Sequence, residues 1–163
     1  MFYGYHVTTE LNERTIRHGR FLGPRPKSRD DSDVSIDSFM DSTAKRLGIK
    51  HRRENCVFMY ADKKIAKSFT HGIYNIVIPI KLKGDEAVRH QVWRHLAGSR
   101  YQRMIPKKIV RAYWNNYLPL EEYLRDPSEL DSINREGIAL LPKISSEKLR
   151  RHHEIVIEGG IYL

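Results

Sequence analysis

Three short stretches, far apart in the chain, carry side chains able to act on a bound molecule. Tyr5-His6-Val7-Thr8 offers an imidazole and a hydroxyl. Val57-Phe58-Met59-Tyr60-Ala61-Asp62, followed by Ala66-Lys67-Ser68-Phe69, offers aromatic rings. Glu154-Ile155-Val156-Ile157 offers a carboxylate ahead of an apolar run. A neutral imidazole both donates and accepts a hydrogen bond. Ring faces favour flat partners. A carboxylate fixed on a strand stabilises positive charge as it develops.

Other chemistries are poorly represented. The chain lacks a Walker loop, Gly-x-Gly-x-x-Gly, His-Glu-x-x-His and Gly-x-Ser-x-Gly. His90 and His95 are five apart, which does not align two ligands on one helix face. In His152-His153-Glu154, a strand puts His152 and Glu154 on one face and His153 on the other. With no third ligand set evident, no metal is expected. Cys56 sits in an apolar stretch with no neighbouring cation to lower its pKa, and reads as a structural thiol. A single cysteine forms no internal disulfide, which points to a reducing cytoplasm.

The elements that must hold these residues follow from local pattern. Phe2 to Thr8 is short, aromatic and β-prone. Thr9 is an N-cap type ahead of a helix over Leu11 to His18 that stops at Gly19. Phe21 to Pro26 is turn-rich, and Lys27 to Asp41 reads as a polar surface loop because aspartates alternate with serines. Ser42 to Leu47 reads as a short helix stopped by Gly48. Asn55 to Tyr60 is a strand, and Asp62 caps a helix over Lys63 to Phe69. Tyr74 to Leu82 is a strand with Pro79 marking an edge or bulge. Asp85 to Ala97 reads as an amphipathic helix, because Val88, Val92 and Leu96 recur every four residues. Glu121 to Arg125 is a short helix, and Glu154 to Glu158 a strand before the Gly159-Gly160 turn. Strands and short helices without a βαβ rhythm predict an α+β fold.

With His, aromatics and Glu in that order, the sequence resembles the ADP-ribosyltransferase superfamily, in the branch of diphtheria toxin and the poly(ADP-ribose) polymerases. The resemblance spans nearly the whole chain through short motifs. It implies a single domain over 1–163 with a split antiparallel sheet and short flanking helices, and NAD as substrate. By that resemblance Glu154 and His6 are catalytic. His6, Val7 and Thr8 would contact the ribose. Phe58 and Phe69, or Tyr60 two residues on, would sandwich nicotinamide. Arg20, Arg25 or Arg53 would meet the pyrophosphate. The sequence departs from the pattern at Phe58, where Tyr is usual, at Val7, where Gly is common, and at Ala66, whose serine is displaced to Ser68. Glu158 shares a strand face with Glu154 and competes for its role. The acceptor would be a nucleic acid or a protein, as for a toxin or phage effector. The related RNA 2′-phosphotransferases need a set of arginines around the His, for which Arg14, Arg25, Arg52 and Arg53 are available.

Composition is compatible with this. The chain has 163 residues, 40% hydrophobic and 30% charged, enough to build a core. No apolar run reaches the ~20 residues that span a bilayer, and the amino terminus has no secretory pattern, so no membrane partner is expected. The net charge is +9. Between Asp85 and Pro119 seven basic residues face two acids, a local +5, interleaved with aromatics from Trp93 to Tyr117. Such a stretch suits a nucleic-acid surface, and a non-catalytic binding module is the alternative reading. A catalytically dead transferase fold used for protein contact is a third. Oligomeric state is not readable from the chain.

Overall fold

The computed structural model describes residues 1–24, 32–142 and 146–163. Its strands are β1 (Phe2–Thr8), β2 (Phe21–Leu22), β3 (Cys56–Met59), β4 (Ile76–Leu82), β5 (Ala87–His90), β6 (Tyr117–Pro119), β7 (His153–Glu158) and β8 (Ile161–Tyr162). Its helices are α1 (Glu10–Gly19), α2 (Ser32–Arg46), α3 (Lys63–Ser68), α4 (Val92–Ala97), α5 (Pro106–Asn115), α6 (Leu120–Arg125), α7 (Ser128–Ile133), α8 (Arg135–Ala139) and α9 (Ser146–Arg150). The fold is mixed α and β with small antiparallel sheets. β1 pairs with β4, β2 with β8, and the largest sheet has the order β3-β7-β5-β6. β1 meets β3 at one bridge, where Tyr5 and Tyr60 exchange backbone bonds of 2.7 and 2.9 Å. Gly4, the neighbour of Tyr5, passes so close to Met59 that a Cβ there would lie 2.2 Å from its sulfur.

The four-stranded sheet separates two apolar cores, and strand alternation assigns each side chain to one of them. Val57, Met59, Val88 and Ile155 face the β1–β4 pair with Ile78, Ile80 and Leu82. Cys56 and Val156 face α2, α4 and α5 with Met40, Trp93, Leu96, Ile109 and Tyr113. Each fully buried Leu or Ile contributes about 1.5–3 kcal/mol. Pro79 lies exposed on β4, whose one ladder partner among the described residues is β1, and the β1–β4 register runs unbroken through it. The edge reading therefore holds and no bulge forms.

Several elements differ from the sequence expectation. Residues 32–41, expected as loop, form most of helix α2; residues 27–31 of that stretch lie outside the described residues. The aspartates and serines obscure Ile36, Met40 and Ala44, which recur every four residues and pack on the second core. The expected helix over Asp85 to Ala97 is split. Ala87–His90 is a strand, paired on both sides, and only Val92–Ala97 is helical. The apparent stripe arises because Val88 belongs to one core and Val92 and Leu96 to the other. Arg89 consequently is buried rather than on a solvated face. α1 does end at Gly19, where the sequence places its stop, and the residue after it, Arg20, is left-handed with φ 49°. Thr9 and Asp62 do cap α1 and α3, accepting from Asn12 N–H and from Lys64 and Ile65 N–H.

Candidate functional site

The central cleft, of about 840 Å³, opens where β1 and β3 diverge. His6, Val7 and Thr8 line one wall, Phe58, Tyr60 and Phe69 line another, and Glu154 lies at its floor. The three stretches read from the sequence thus meet in one place. Each wall follows from local structure. β1 turns into α1 at the Thr9 cap, so His6 to Thr8 end at the cleft rim. β3 ends at Met59, and Tyr60 continues into the bridge with Tyr5. Phe69 is the C-cap residue of α3, whose Asp62 cap fixes where that helix starts.

His6 Nδ1 lies 3.0 Å from the carbonyl oxygen of Phe58. A carbonyl only accepts, so Nδ1 carries the proton, and in the neutral ring Nε2 holds the lone pair. Tyr60 and Phe69 stack on each other with centroids 4.7 Å apart, and the Arg151 guanidinium covers the Phe69 ring at 4.9 Å. Phe58 instead lies under Arg53, 4.2 Å from its ring centroid. The aromatic pair is therefore Tyr60–Phe69, and Phe58 packs on a cation.

Glu154 is 2% exposed and its two oxygens accept from three elements. Oε1 takes Arg53 Nη1 and the Tyr113 hydroxyl, both at 2.8 Å. Oε2 takes Gln91 Nε2 at 2.6 Å. Burial alone would raise its pKa, but the Arg53 charge and these hydrogen bonds outweigh that and hold it low. Arg53 itself is 4% exposed, and its Nη1 also donates to the Tyr113 oxygen. Arg53 Nε reaches Asp37 at 2.7 Å, and Arg94 Nε reaches the same carboxylate at 3.0 Å. Asp41, one turn further along α2, accepts from the backbone N–H of Arg53 and Glu54. The floor is a fixed carboxylate whose charge is balanced by a desolvated guanidinium.

The remaining expected residues fall elsewhere. Glu158 is half-exposed on the far end of β7 and pairs with His51 at 2.8 Å. It does not line the cleft, and Glu154 does. Among Arg14, Arg20, Arg52 and Arg53, only Arg53 lines the cleft. Arg14 bonds Glu10 on the outside of α1, and Arg52 donates to the carbonyls of Ile49 and His51. Arg25 lies outside the described residues. Trp93, Tyr113 and Trp114, offered by the sequence as stacking rings, are buried in the second core because α4 and α5 turn them inward. Sequence reasoning missed Gln91, Tyr113, Asp37 and Asp41. Tyr113 sits at the apolar spacing of Ile109, Val110 and Trp114 and reads as core; nothing in the pattern marks its hydroxyl.

His90, Asp131 and His153 gather on the opposite face of the sheet, their ligand-type atoms within 4.8 Å of one another. Asp131 Oδ1 lies 2.8 Å from His153 Nε2 and 3.1 Å from His90 Nε2. Val92 N–H donates to His90 Nδ1 at 3.0 Å, so the neutral ring carries its proton on Nε2, the atom a metal would need. The cluster is a carboxylate clamped between two imidazoles. Burial would raise Asp131, but the two rings hold it low.

At the cleft edge His95 Nε2 lies 2.8 Å from His152 Nδ1. Burial, with His95 beside it, pushes His152 down to about 4. Cys56, the first residue of β3, is buried, and burial pushes its thiol up to about 12. No helix among the described residues is long and apolar enough to cross a membrane. No protein-family model matches the chain, and no curated protein or solved structure matches it either.

Proposed function

We propose that the cleft binds NAD and that the protein transfers ADP-ribose from it to a nucleophilic acceptor, on a split-sheet fold of the ADP-ribosyltransferase kind. The convergence of His6, the Tyr60–Phe69 pair and Glu154 in one cleft, from stretches up to 148 positions apart, carries this reading. The strand order β4-β1 and β3-β7-β5-β6, parting beside the Tyr5–Tyr60 bridge, supports the fold part of it.

In this reaction the bond from ribose C1′ to the nicotinamide nitrogen breaks, and its electron pair leaves with neutral nicotinamide. C1′ becomes cationic until a lone pair of the acceptor closes on it and the acceptor loses a proton. Glu154 supplies negative charge to that cation, held in place before the reaction begins. His6, with Nδ1–H given to Phe58, offers Nε2 to a ribose hydroxyl. Tyr60 and Phe69 take the flat ring between them. Among the described residues Arg53 lines the cleft while Arg14 and Arg52 are bonded elsewhere, which favours transfer of ADP-ribose over the phosphotransferase alternative.

The test follows adenylate-labelled NAD and released nicotinamide with the wild-type chain and Glu154→Gln, incubated with cell extract and then split between nuclease and protease. The wild type should release nicotinamide and deposit label, and the variant should be slower by about 10²–10³-fold. Absence of both nicotinamide release and label from the wild type would remove this reading.

A further inference from the structure

A second concavity lies away from the cleft, along the outer face of α5. It is a groove of about 620 Å³ lined by Met104, Ile105, Lys107, Lys108, Arg111 and Asn115, among others. α5 is amphipathic: Ile109, Val110, Tyr113 and Trp114 are buried, and Lys107, Lys108, Arg111 and Asn115 are exposed on the other side. Arg103, also exposed, precedes the groove on the turn Arg100–Arg103.

These cations serve no evident purpose in folding. Lys107 and Lys108 occupy the first turn of α5, with no acidic residue there. Cations at that end oppose the helix dipole. Lys107, Arg111 and Arg103 have no carboxylate partner among the described residues, while Lys108 pairs with Glu136, the one acid lining the groove. The floor between the cations is apolar, with Met104 71% exposed. Asn115, at the far end, offers an amide donor and acceptor.

We infer that this groove holds a single strand of nucleic acid. Phosphates would lie on Lys107, Lys108, Arg111 and Arg103. An unpaired base or sugar would lie on the floor of Met104, Ile105 and Ala112, with Asn115 at the base edge. A duplex presents phosphates outward and leaves that floor unused, so a single strand is the better fit. Of the aromatics interleaved in the sequence, Trp93, Tyr113 and Trp114 are buried, and Tyr101 and Tyr117 do not line the groove, so ring stacking is not part of this site. This surface is separate from the NAD cleft, and the inference does not need the transferase reading to hold.

The experiment measures binding by fluorescence anisotropy with the full chain and no NAD. The probes are a fluorescein-labelled twelve-nucleotide DNA and RNA of mixed sequence, the matching duplex, and phosphatidylglycerol vesicles. With four phosphate contacts the logarithm of affinity should fall against the logarithm of salt with a slope of about −3 for single strands. The double variant Lys107→Glu/Arg111→Glu should lose about tenfold in affinity or more at 0.1 M salt, and its slope should flatten to about −1.5. Glu136→Gln, which frees Lys108, should tighten binding. A raised Tm in Lys107→Glu, expected from the helix dipole, shows that weaker binding is not unfolding. Equal affinity in wild type and double variant overturns the inference, as does a preference for duplex or for vesicles. Single-strand binding without nicotinamide release from NAD would leave this inference standing and remove the transferase reading instead.

Discussion

Tyr60 and Phe69 lie face to face, their ring planes 8° from parallel. At a centroid distance of 4.7 Å they fill the space that a flat ligand would take. A ring inserted between two others needs about 7 Å, twice the optimal carbon contact of about 3.5 Å. Ligand entry therefore requires one ring to move, and Phe69, at the end of a six-residue helix, is the less constrained. Phe69→Ala should raise KM for NAD about tenfold or more and alter kcat much less, because it removes a contact made in ground and transition states alike. Steady-state nicotinamide release reads this; an unchanged KM ends the stacking role.

Removing Arg53 should cost far more than removing its partner's charge. Arg53→Ala leaves Glu154 buried and unpaired, and should lower stability by about 3–5 kcal/mol. Glu154→Gln keeps the shape, and Arg53 retains Asp37, so the loss should be smaller. Urea denaturation of the two variants makes the comparison. Equal losses would mean that the pair does not act as described.

The same pair sets a pH dependence. The pKa of Glu154 is depressed on folding from an ordinary value of 4.5. Its contribution is therefore complete above that value and disappears as pH falls through the folded pKa. Asp131, depressed from 3.8, acts in the same direction over a similar range. Wild type should lose stability steeply below about pH 4.5, and Glu154→Gln should show a shallower fall. Urea midpoints measured from pH 7 to 3 decide it; parallel curves would contradict the depressed pKa.

Cys56 should be silent in the native state. It is buried, and its thiol is pushed up to about 12, so almost no thiolate exists at neutral pH. Iodoacetamide should label it only after denaturant is added. Rapid labelling of the native chain would mean that β3 is open to solvent.

The His90–Asp131–His153 cluster should be indifferent to metal. The Val92 bond to His90 Nδ1 places the ring proton on Nε2. Tm should be unmoved by chelator or by added zinc, whereas Asp131→Asn should lower it, because both imidazoles lose their common partner. A zinc-dependent rise in Tm would reverse the tautomer assignment.

The sequence was most readable where a local rule acts alone. Thr9 and Asp62 mark helix starts because a short polar side chain reaches the backbone two or three residues on. Glu154 was marked by the resemblance, in which a Glu precedes an apolar run such as Ile155-Val156-Ile157; taken alone it is a charge at a strand end. What escaped was decided by packing between distant parts. β5 carries Val88, Arg89 and His90, all buried, because both faces of the sheet are covered, so no alternation betrays it. α2 was masked by its aspartates, two of which, Asp37 and Asp41, turn toward Arg53 rather than solvent. Tyr113 and Gln91 carry no local mark at all, since their role exists only where α5 and the end of β5 meet Glu154.

The junction of β1 and β3 has a mechanical meaning. The two cleft walls belong to separate ladders, fastened at the Tyr5–Tyr60 bridge and by the His6 side chain on the Phe58 carbonyl. The shared apolar core of Ile78, Ile80 and Leu82 with Val57, Met59, Val88 and Ile155 holds the two ladders in register behind that fastening. His6 is thus both wall and fastening: the imidazole that lines the cleft also ties β1 to the Phe58 carbonyl, and a substitution there should weaken the junction as well as change the wall.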